Sequence, residues 1–277
     1  MVRLNVKVNS RPRESDAILL WPKPPAGIGW QCQQITSLGL SVAQEIQADN
    51  ASLWAQWAKA EDQQAISLCY EFEPLLKPVM ADDYWHLQEN RHTQASGALV
   101  EQVSTWVDES EKPSQQLYTL IHKTADMFAY GHVEQRFTEG KSQVPPLCGI
   151  TNGSCVDINT FLIAAARSLG IKVQYLAGYW FHPSRSHTHD MHCWLDFEVE
   201  TGHEYWDVAH HLKWDVEGLH AGLNPAGGRR WLMSYGRGLT FQTIHGEVSI
   251  SHFSEPLWVY SDGSVMAPQL HIELIEY

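Results

Sequence analysis

A cysteine at the start of a long apolar segment is the residue of this chain best placed to do chemistry. Cys155 follows a short polar run at residues 152–154, and residues 156–169 after it are apolar on nearly all sides until Gly170. Such a segment predicts a helix packed by neighbours all round, which glycine ends. At a helix N-terminus, unpaired N–H groups and the positive end of the dipole favour the reactive thiolate, and they can stabilise an oxyanion. Cys155 is therefore a candidate nucleophile, although position alone fits a small packed residue equally well.

A histidine and an aspartate downstream could complete a catalytic set. Residues 191–199 alternate in polarity, which predicts a strand with His192 on its polar face. A hairpin turn at residues 201–202 then leads into a returning strand that carries Asp207. Because His192 lies nine residues before this turn and Asp207 five after it, they are not predicted to face each other directly. The nearby alternatives for the acid are Asp190, Asp196 and Asp215.

Several motifs in a fixed order make this region resemble the transglutaminase-like superfamily. The resemblance covers roughly residues 112–215, and the cysteine and histidine are 37 residues apart, the histidine and aspartate 15. The family often has proline directly after the aspartate, whereas this chain has Val208. The motifs are Gly153-x-Cys155, Arg167-x-x-Gly170-Ile171, Gly178-Tyr179, His192-x-Trp194 and an aromatic residue before Asp207.

The resemblance implies a papain-like core and a catalytic triad. Cys155 would attack a carbonyl, His192 would take the thiol proton and later protonate the leaving amine, and Asp207 would orient the imidazole. It implies a bacterial-type, cysteine-dependent enzyme that acts on amide bonds of peptides or proteins by hydrolysis, without cofactor or metal. Acyl transfer to an amine, as in a transglutaminase, and a non-catalytic binding module of the same fold are the alternatives.

The elements around this segment predict an α+β protein. Residues 1–80 contain short strand-like runs punctuated by turns, which predicts a β-sandwich-like N-terminal domain. Residues 81–111 read as a connector with a helix near residues 98–107. Residues 112–277 are predicted to form the catalytic domain, a central helix on an antiparallel sheet. It begins with a helix from Pro113 to about residue 128 and ends in further strands.

Bulk composition excludes some classes of partner. The net charge is −13, and this balance argues against nucleic acid or an anionic membrane surface. The N-terminus reads as a strand rather than a signal peptide, and no apolar run reaches the roughly 18 residues of a membrane helix. Five cysteines without CxxC spacing fit reduced thiols. These features predict a cytoplasmic protein.

Other chemistry-bearing residues receive weaker interpretations. Seven of the 15 histidines lie between residues 182 and 211, which raises a zinc hypothesis, but no known zinc motif is present. The Gly-Gly-Arg-Arg run at 227–230 lacks the features of a phosphate loop. Four further residues near the motifs are expected to be structural: Asp157 and Asn159 as helix-start residues, and Tyr130 and Tyr179 as core aromatics or cleft-lining residues.

Overall fold

The computed structural model describes residues 1–27, 29–62, 64–76, 81–85, 88–189 and 191–276. Two compact units divide the chain: one contains Met1–Leu87, Ala177–His192 and Gly228–Tyr277, and the other contains Gln88–Leu176 and Cys193–Gly227. The helices are α1 (Gly97–Ser104), α2 (Pro113–Met127), α3 (Cys155–Ser168) and α4 (Val208–Trp214). The strands are β1 (Val2–Val8), β2 (Ile18–Lys23), β3 (Trp30–Leu38), β4 (Gln44–Gln47), β5 (Trp54–Lys59), β6 (Ile66–Pro74), β7 (Phe128–Tyr130), β8 (Thr151–Gly153), β9 (Lys172–Phe181), β10 (His187–Thr188), β11 (Met191–Val199), β12 (Gly202–Trp206), β13 (Arg229–Tyr235), β14 (Leu239–Thr243), β15 (Gly246–Ile250), β16 (Leu257–Val259), β17 (Val265–Met266) and β18 (Leu270–Glu276).

The first unit is a β-sandwich. One five-stranded sheet has the order β10-β18-β1-β6-β3 and the other β17-β16-β2-β5-β4. Alternate residues of β1 point inward, and Leu4 and Val6 are fully buried. Side chains of both sheets, including Leu4 of β1 and Trp21 of β2, lie in one hydrophobic core. The alternation read in the first strands therefore predicted the right architecture, because one face of each sheet is covered.

C-terminal strands complete both sheets of this sandwich. β18 pairs with β1 in an antiparallel register from Val2 opposite Glu276 to Val8 opposite Leu270. β16 likewise pairs with β2 in the other sheet. Sequence order alone would not place these distant strands side by side.

A glycine of this unit sits where no side chain fits. A Cβ at Gly178 in β9 would lie 1.9 Å from the carbonyl oxygen of Trp231 and 3.1 Å from the backbone nitrogen of Met233. We expect Gly178→Ala to lower the free energy of unfolding by about 3 kcal/mol, because backbone, not a flexible side chain, would have to move. Urea unfolding measures this. Gly97→Ala, where the added Cβ meets nothing within 4 Å, is the matched control, and an equal loss in both variants would contradict the steric argument.

The second unit surrounds one central helix. α3 contacts α1, α2 and α4, and every residue from Cys155 to Ala166 is buried. The all-round apolar pattern of the sequence is explained by these neighbours. α2 begins at Pro113, in the position where a missing N–H costs nothing. β7 and β8 form a short parallel pair beside the start of α3.

β11 and β12 form an antiparallel hairpin. Its register runs from Leu195 opposite Trp206 to Val199 opposite Gly202, so the turn lies at residues 200–201, one residue earlier than predicted. The predicted return strand is also shorter, since β12 ends at Trp206 and α4 begins at Val208. The sequence analysis placed Asp207 on the returning strand, whereas the structure places it at the N-cap of α4.

No helix within the described ranges is long and apolar enough to cross a membrane.

Candidate active site

The start of α3 holds Cys155 in a tightly bonded helix N-terminus. Ser154 is the N-cap, and Cys155 is the first helical residue, only 6 % exposed. The carboxylate of Asp157 accepts hydrogen bonds from the Ser154 backbone N–H at 3.0 Å and from its hydroxyl at 2.9 Å. Arg136 Nη1 donates to the same carboxylate oxygen at 2.9 Å. This capping box fixes the point at which the chain enters the helix, and hence the position of Cys155.

Close packing and strand pairing at residue 153 explain why the motif has glycine there. A Cβ on Gly153 would lie 2.8 Å from the Cβ of Asp157 and 2.9 Å from the ring of Phe128. The backbone of Gly153 meanwhile pairs with β7 opposite Tyr130. Any larger residue at 153 would displace the helix start, which is a physical reason for Gly-x-Cys.

Asp157 is a helix-start residue, as predicted from its position. Its removal is therefore expected to destabilise the protein. We expect Asp157→Ala to lower the free energy of unfolding by about 2 kcal/mol, because a buried N–H and a hydroxyl lose their acceptor. Urea unfolding measures the change, with exposed Glu101→Ala as the control. Equal stability of the two variants would show that the capping box contributes nothing.

Asn159 connects α3 to β11, a role that the sequence did not reveal. One turn after Cys155, its side-chain Nδ2 donates to the backbone oxygen of Cys193 at 3.0 Å and lies 3.3 Å from the sulfur of Cys193. Asn159 is completely buried. The prediction that it is a helix-start residue was therefore wrong: it fastens α3 to β11. Its four-residue spacing from Cys155 was the available signal, because residues i and i+4 share a helix face.

Cys193 lies beside Cys155. The two thiols interact by a hydrogen bond, and Tyr175 and Asn159 also contact Cys193. Burial, and then the hydrogen bond and charge of Cys155, hold the pKa of the Cys193 thiol well above its usual range. Cys193 therefore stays protonated at neutral pH.

Asp207 occupies the N-cap of α4. Its Oδ1 accepts from the backbone N–H of His210 at 3.0 Å, and its Oδ2 lies 3.0 Å from His210 Nδ1. Asp207 is completely buried and His210 is 1 % exposed. Val208 is thus the first helical residue, the position at which proline is well tolerated, so the family's usual proline and this chain's valine fit the same helix start.

The hairpin register relates His192 to Asp207. Asp207 follows Trp206, which pairs with Leu195, so continuing the register sets Asp207 opposite Trp194. His192 is two residues further along β11 and shares a face with Trp194. In the part of the chain that the structure describes, one group of three side chains has ligand atoms within 4.8 Å of one another: His192, Asp207 and His210. All three are buried.

This group also has the chemistry of a metal site. Two imidazoles and a carboxylate are typical zinc ligands. A metal ion there would use His192 and Asp207, the two residues that the resemblance assigns to a thiol mechanism. The sequence drew attention to the histidine cluster but not to His210, whose signal was its i+3 spacing from Asp207.

The alternative acids have other roles or lie outside the described residues. Asp196 is completely buried and its Oδ2 lies 3.0 Å from His203 Nδ1. Asp215 ends α4 in a left-handed conformation, with φ of 49°. Asp190 lies outside the described residues. Of the two candidate cleft tyrosines, Tyr179 is buried in the core of the sandwich, and Tyr130 is half-buried in β7.

Comparisons with known proteins locate the same region. Residues 98–209 match the family model described as Transglutaminase-like superfamily. A crystal structure of a provisionally assigned cysteine protease from Cytophaga hutchinsonii is similar, with 11% identity, 99% of this chain and 97% of that chain covered, and a TM-score of 0.51. The periplasmic domain of TgpA from Pseudomonas aeruginosa is 15% identical over 76% of this chain and 88% of that chain, with a TM-score of 0.38. No curated protein matches the sequence.

Proposed function

We propose that this chain is a cysteine-dependent enzyme that transfers the acyl group of an amide substrate, because residues 98–209 match the family model described as Transglutaminase-like superfamily. The observation that carries the proposal is Cys155 as the first residue of a buried, capped helix, where backbone N–H groups favour a thiolate. His192 and Asp207 are the proposed base and orienting acid. Two observations support these roles: the register of the β11–β12 hairpin, and the short distances between potential ligand atoms of His192 and Asp207.

The proposed reaction has two steps. Cys155 sulfur attacks the amide carbonyl, and the N–H groups at the start of α3 stabilise the negative oxygen. His192 protonates the leaving amine, which gives a thioester on Cys155. A second nucleophile then attacks the thioester while His192 removes its proton. Asp207 holds the imidazole in one tautomer and stabilises its charged form.

Hydrolysis is the favoured outcome of the second step, and peptides or proteins are the proposed substrates. Both proposals are supported by the fold shared with a provisionally assigned cysteine protease. Acyl transfer to an amine uses the same three residues and differs in how well water is excluded. The two are separated by incubating acyl-enzyme with a biotinylated primary amine: labelled product indicates transamidation, and release of free acid alone indicates hydrolysis.

The cytoplasm is the proposed compartment. All five cysteines are outside disulfides, as expected where thiols stay reduced.

Selective alkylation tests the proposed nucleophile. We expect iodoacetamide at about pH 6 to modify Cys155 at least tenfold faster than exposed Cys148, because only an activated cysteine has appreciable thiolate there. Cys32, whose pKa burial raises to about 11, and Cys69, whose pKa burial also raises, should remain unmodified. Peptide mass spectrometry over a series of times gives each rate.

Variants show whether His192 activates the thiol. His192→Ala should slow the alkylation of Cys155, whereas His203→Ala on the same hairpin should leave it unchanged. Equal rates at Cys155 and Cys148 in the unaltered protein would count against an enzyme and favour a binding module. A slow Cys155 that becomes fast after chelation would favour a metal on His192, Asp207 and His210.

A further inference from the structure

A second thiol touches the proposed nucleophile and has no part in the reaction above. Cys193 interacts with Cys155 through a hydrogen bond, and its position is fixed by Asn159. Asn159 follows Cys155 by one turn of α3, so both side chains lie on the helix face that meets β11. Cys155, Asn159 and Cys193 all belong to the second compact unit.

The surroundings of the two thiols give them different chemistry. Cys155 is 6 % exposed at a helix N-terminus, whereas Cys193 is completely buried in a strand. Burial and the nearby Cys155 raise the pKa of the Cys193 thiol, whereas the position of Cys155 at the N-terminus of α3 favours a thiolate. An oxidant would therefore react first at Cys155, because thiolates and not thiols are attacked.

We propose that Cys193 is a resolving cysteine, which closes a disulfide with Cys155 after a peroxide has oxidised the nucleophile. The inference rests on the proposed function in one respect, namely that Cys155 is the reactive thiol. The disulfide would switch the enzyme off reversibly and keep Cys155 from the irreversible sulfinic and sulfonic acids.

The two steps balance with hydrogen peroxide as the only co-reactant. In the first, Cys155 sulfur bonds to a peroxide oxygen, the O–O bond breaks, and the other oxygen leaves as water after taking a proton. In the second, Cys193 sulfur attacks the sulfenic sulfur, the S–S bond forms, and the S–O bond breaks. The hydroxyl leaves with the Cys193 proton as a second water. The sulfur pair loses two electrons, and the peroxide gains them.

Asn159 is suited to support the second step. Its amide N–H groups point to the sulfur and the backbone oxygen of Cys193, which holds the thiol against Cys155. A cysteine fixed in this way loses little conformational freedom when the disulfide forms. The exposed Cys148, in contrast, has no comparable restraint among the hydrogen bonds of the structure's described residues.

The test is peroxide treatment of the full chain, with a variant that lacks the resolving thiol. Unaltered protein, Cys193→Ser and the control Cys148→Ser are treated with a small excess of hydrogen peroxide and then digested without reductant. Alkylation of Cys155 is measured before peroxide and again after dithiothreitol. Cys193→Ala is added because a buried serine can disturb folding, and thermal unfolding shows which variants are native.

The expected result is a Cys155–Cys193 disulfide in the unaltered protein and in Cys148→Ser, with full recovery of Cys155 alkylation after dithiothreitol. Cys193→Ser and Cys193→Ala should instead form a sulfenic acid that dimedone traps, and should then lose alkylation irreversibly. The resolving role is overturned if Cys155 alkylates fast before peroxide yet forms no disulfide with Cys193, or forms one with Cys148. Slow alkylation of Cys155 before peroxide would instead overturn the proposed function, whatever follows.

Discussion

Cys155→Ala is expected to lower turnover of an amide substrate by at least about 10⁴-fold, because the thioester of the proposed mechanism can no longer form. The protein should remain folded, since alanine is a strong helix former in the first turn of α3. Release of a fluorescent amine from a panel of peptide amides measures turnover, and circular dichroism measures the fold.

Two variants make this loss interpretable. Cys148→Ala removes an exposed cysteine and should retain full activity. Cys155→Ser keeps the side-chain volume but replaces the thiolate with a hydroxyl of much higher pKa, so it should be almost as inactive. Turnover that survives in Cys155→Ala would place the nucleophile elsewhere and end the triad proposal.

If His192 and Asp207 act as proposed, Asp207→Asn is expected to lower kcat by about 10³- to 10⁴-fold with little change in KM, because a neutral amide cannot stabilise the imidazolium of His192. The same change also weakens the buried contact between Asp207 Oδ2 and His210 Nδ1, so the free energy of unfolding should fall by about 2 kcal/mol. Steady-state kinetics and urea unfolding measure the two effects separately.

The hairpin provides a matched control for Asp207. Asp196 is also completely buried and also pairs with a histidine, His203, at 3.0 Å. Asp196→Asn should therefore lower stability while kcat changes less than about threefold. If both variants lose the same share of activity, Asp207 would be a structural aspartate and the acid of the triad would have to be sought elsewhere.

The sequence predicts the local parts of this structure well, since their causes are local. Alternation marks β1 and β11, and the apolar run with its polar start marks α3. The fold class follows from these elements together with the transglutaminase-like motifs. The position of Cys155 at the start of α3 was predictable for the same reason, because a polar run before an apolar segment marks a helix start.

Features that depend on distant or side-chain partners could not be predicted. α4 is only seven residues long, and its N-cap is an aspartate that also reads as the end of a strand. The contact of Asn159 with Cys193 joins residues 34 positions apart, and the spacing of Asn159 from Cys155 indicates only the shared helix face, not the partner. The pairing of His210 with Asp207 becomes apparent only once α4 is known to follow β12 directly.

The pairing of β1 with β18 has a consequence for how this protein is made. β1 is the central strand of its sheet, and one of its two neighbours is the last strand of the chain. At a synthesis rate of about 5–20 residues per second, β1 waits more than ten seconds with one edge unpaired while the ribosome reaches β18. Sheet formation over such a separation is slow, and unpaired edges attract other chains. The sandwich should therefore depend on chaperones during translation more than the helical unit, whose α1, α2 and α3 emerge in succession.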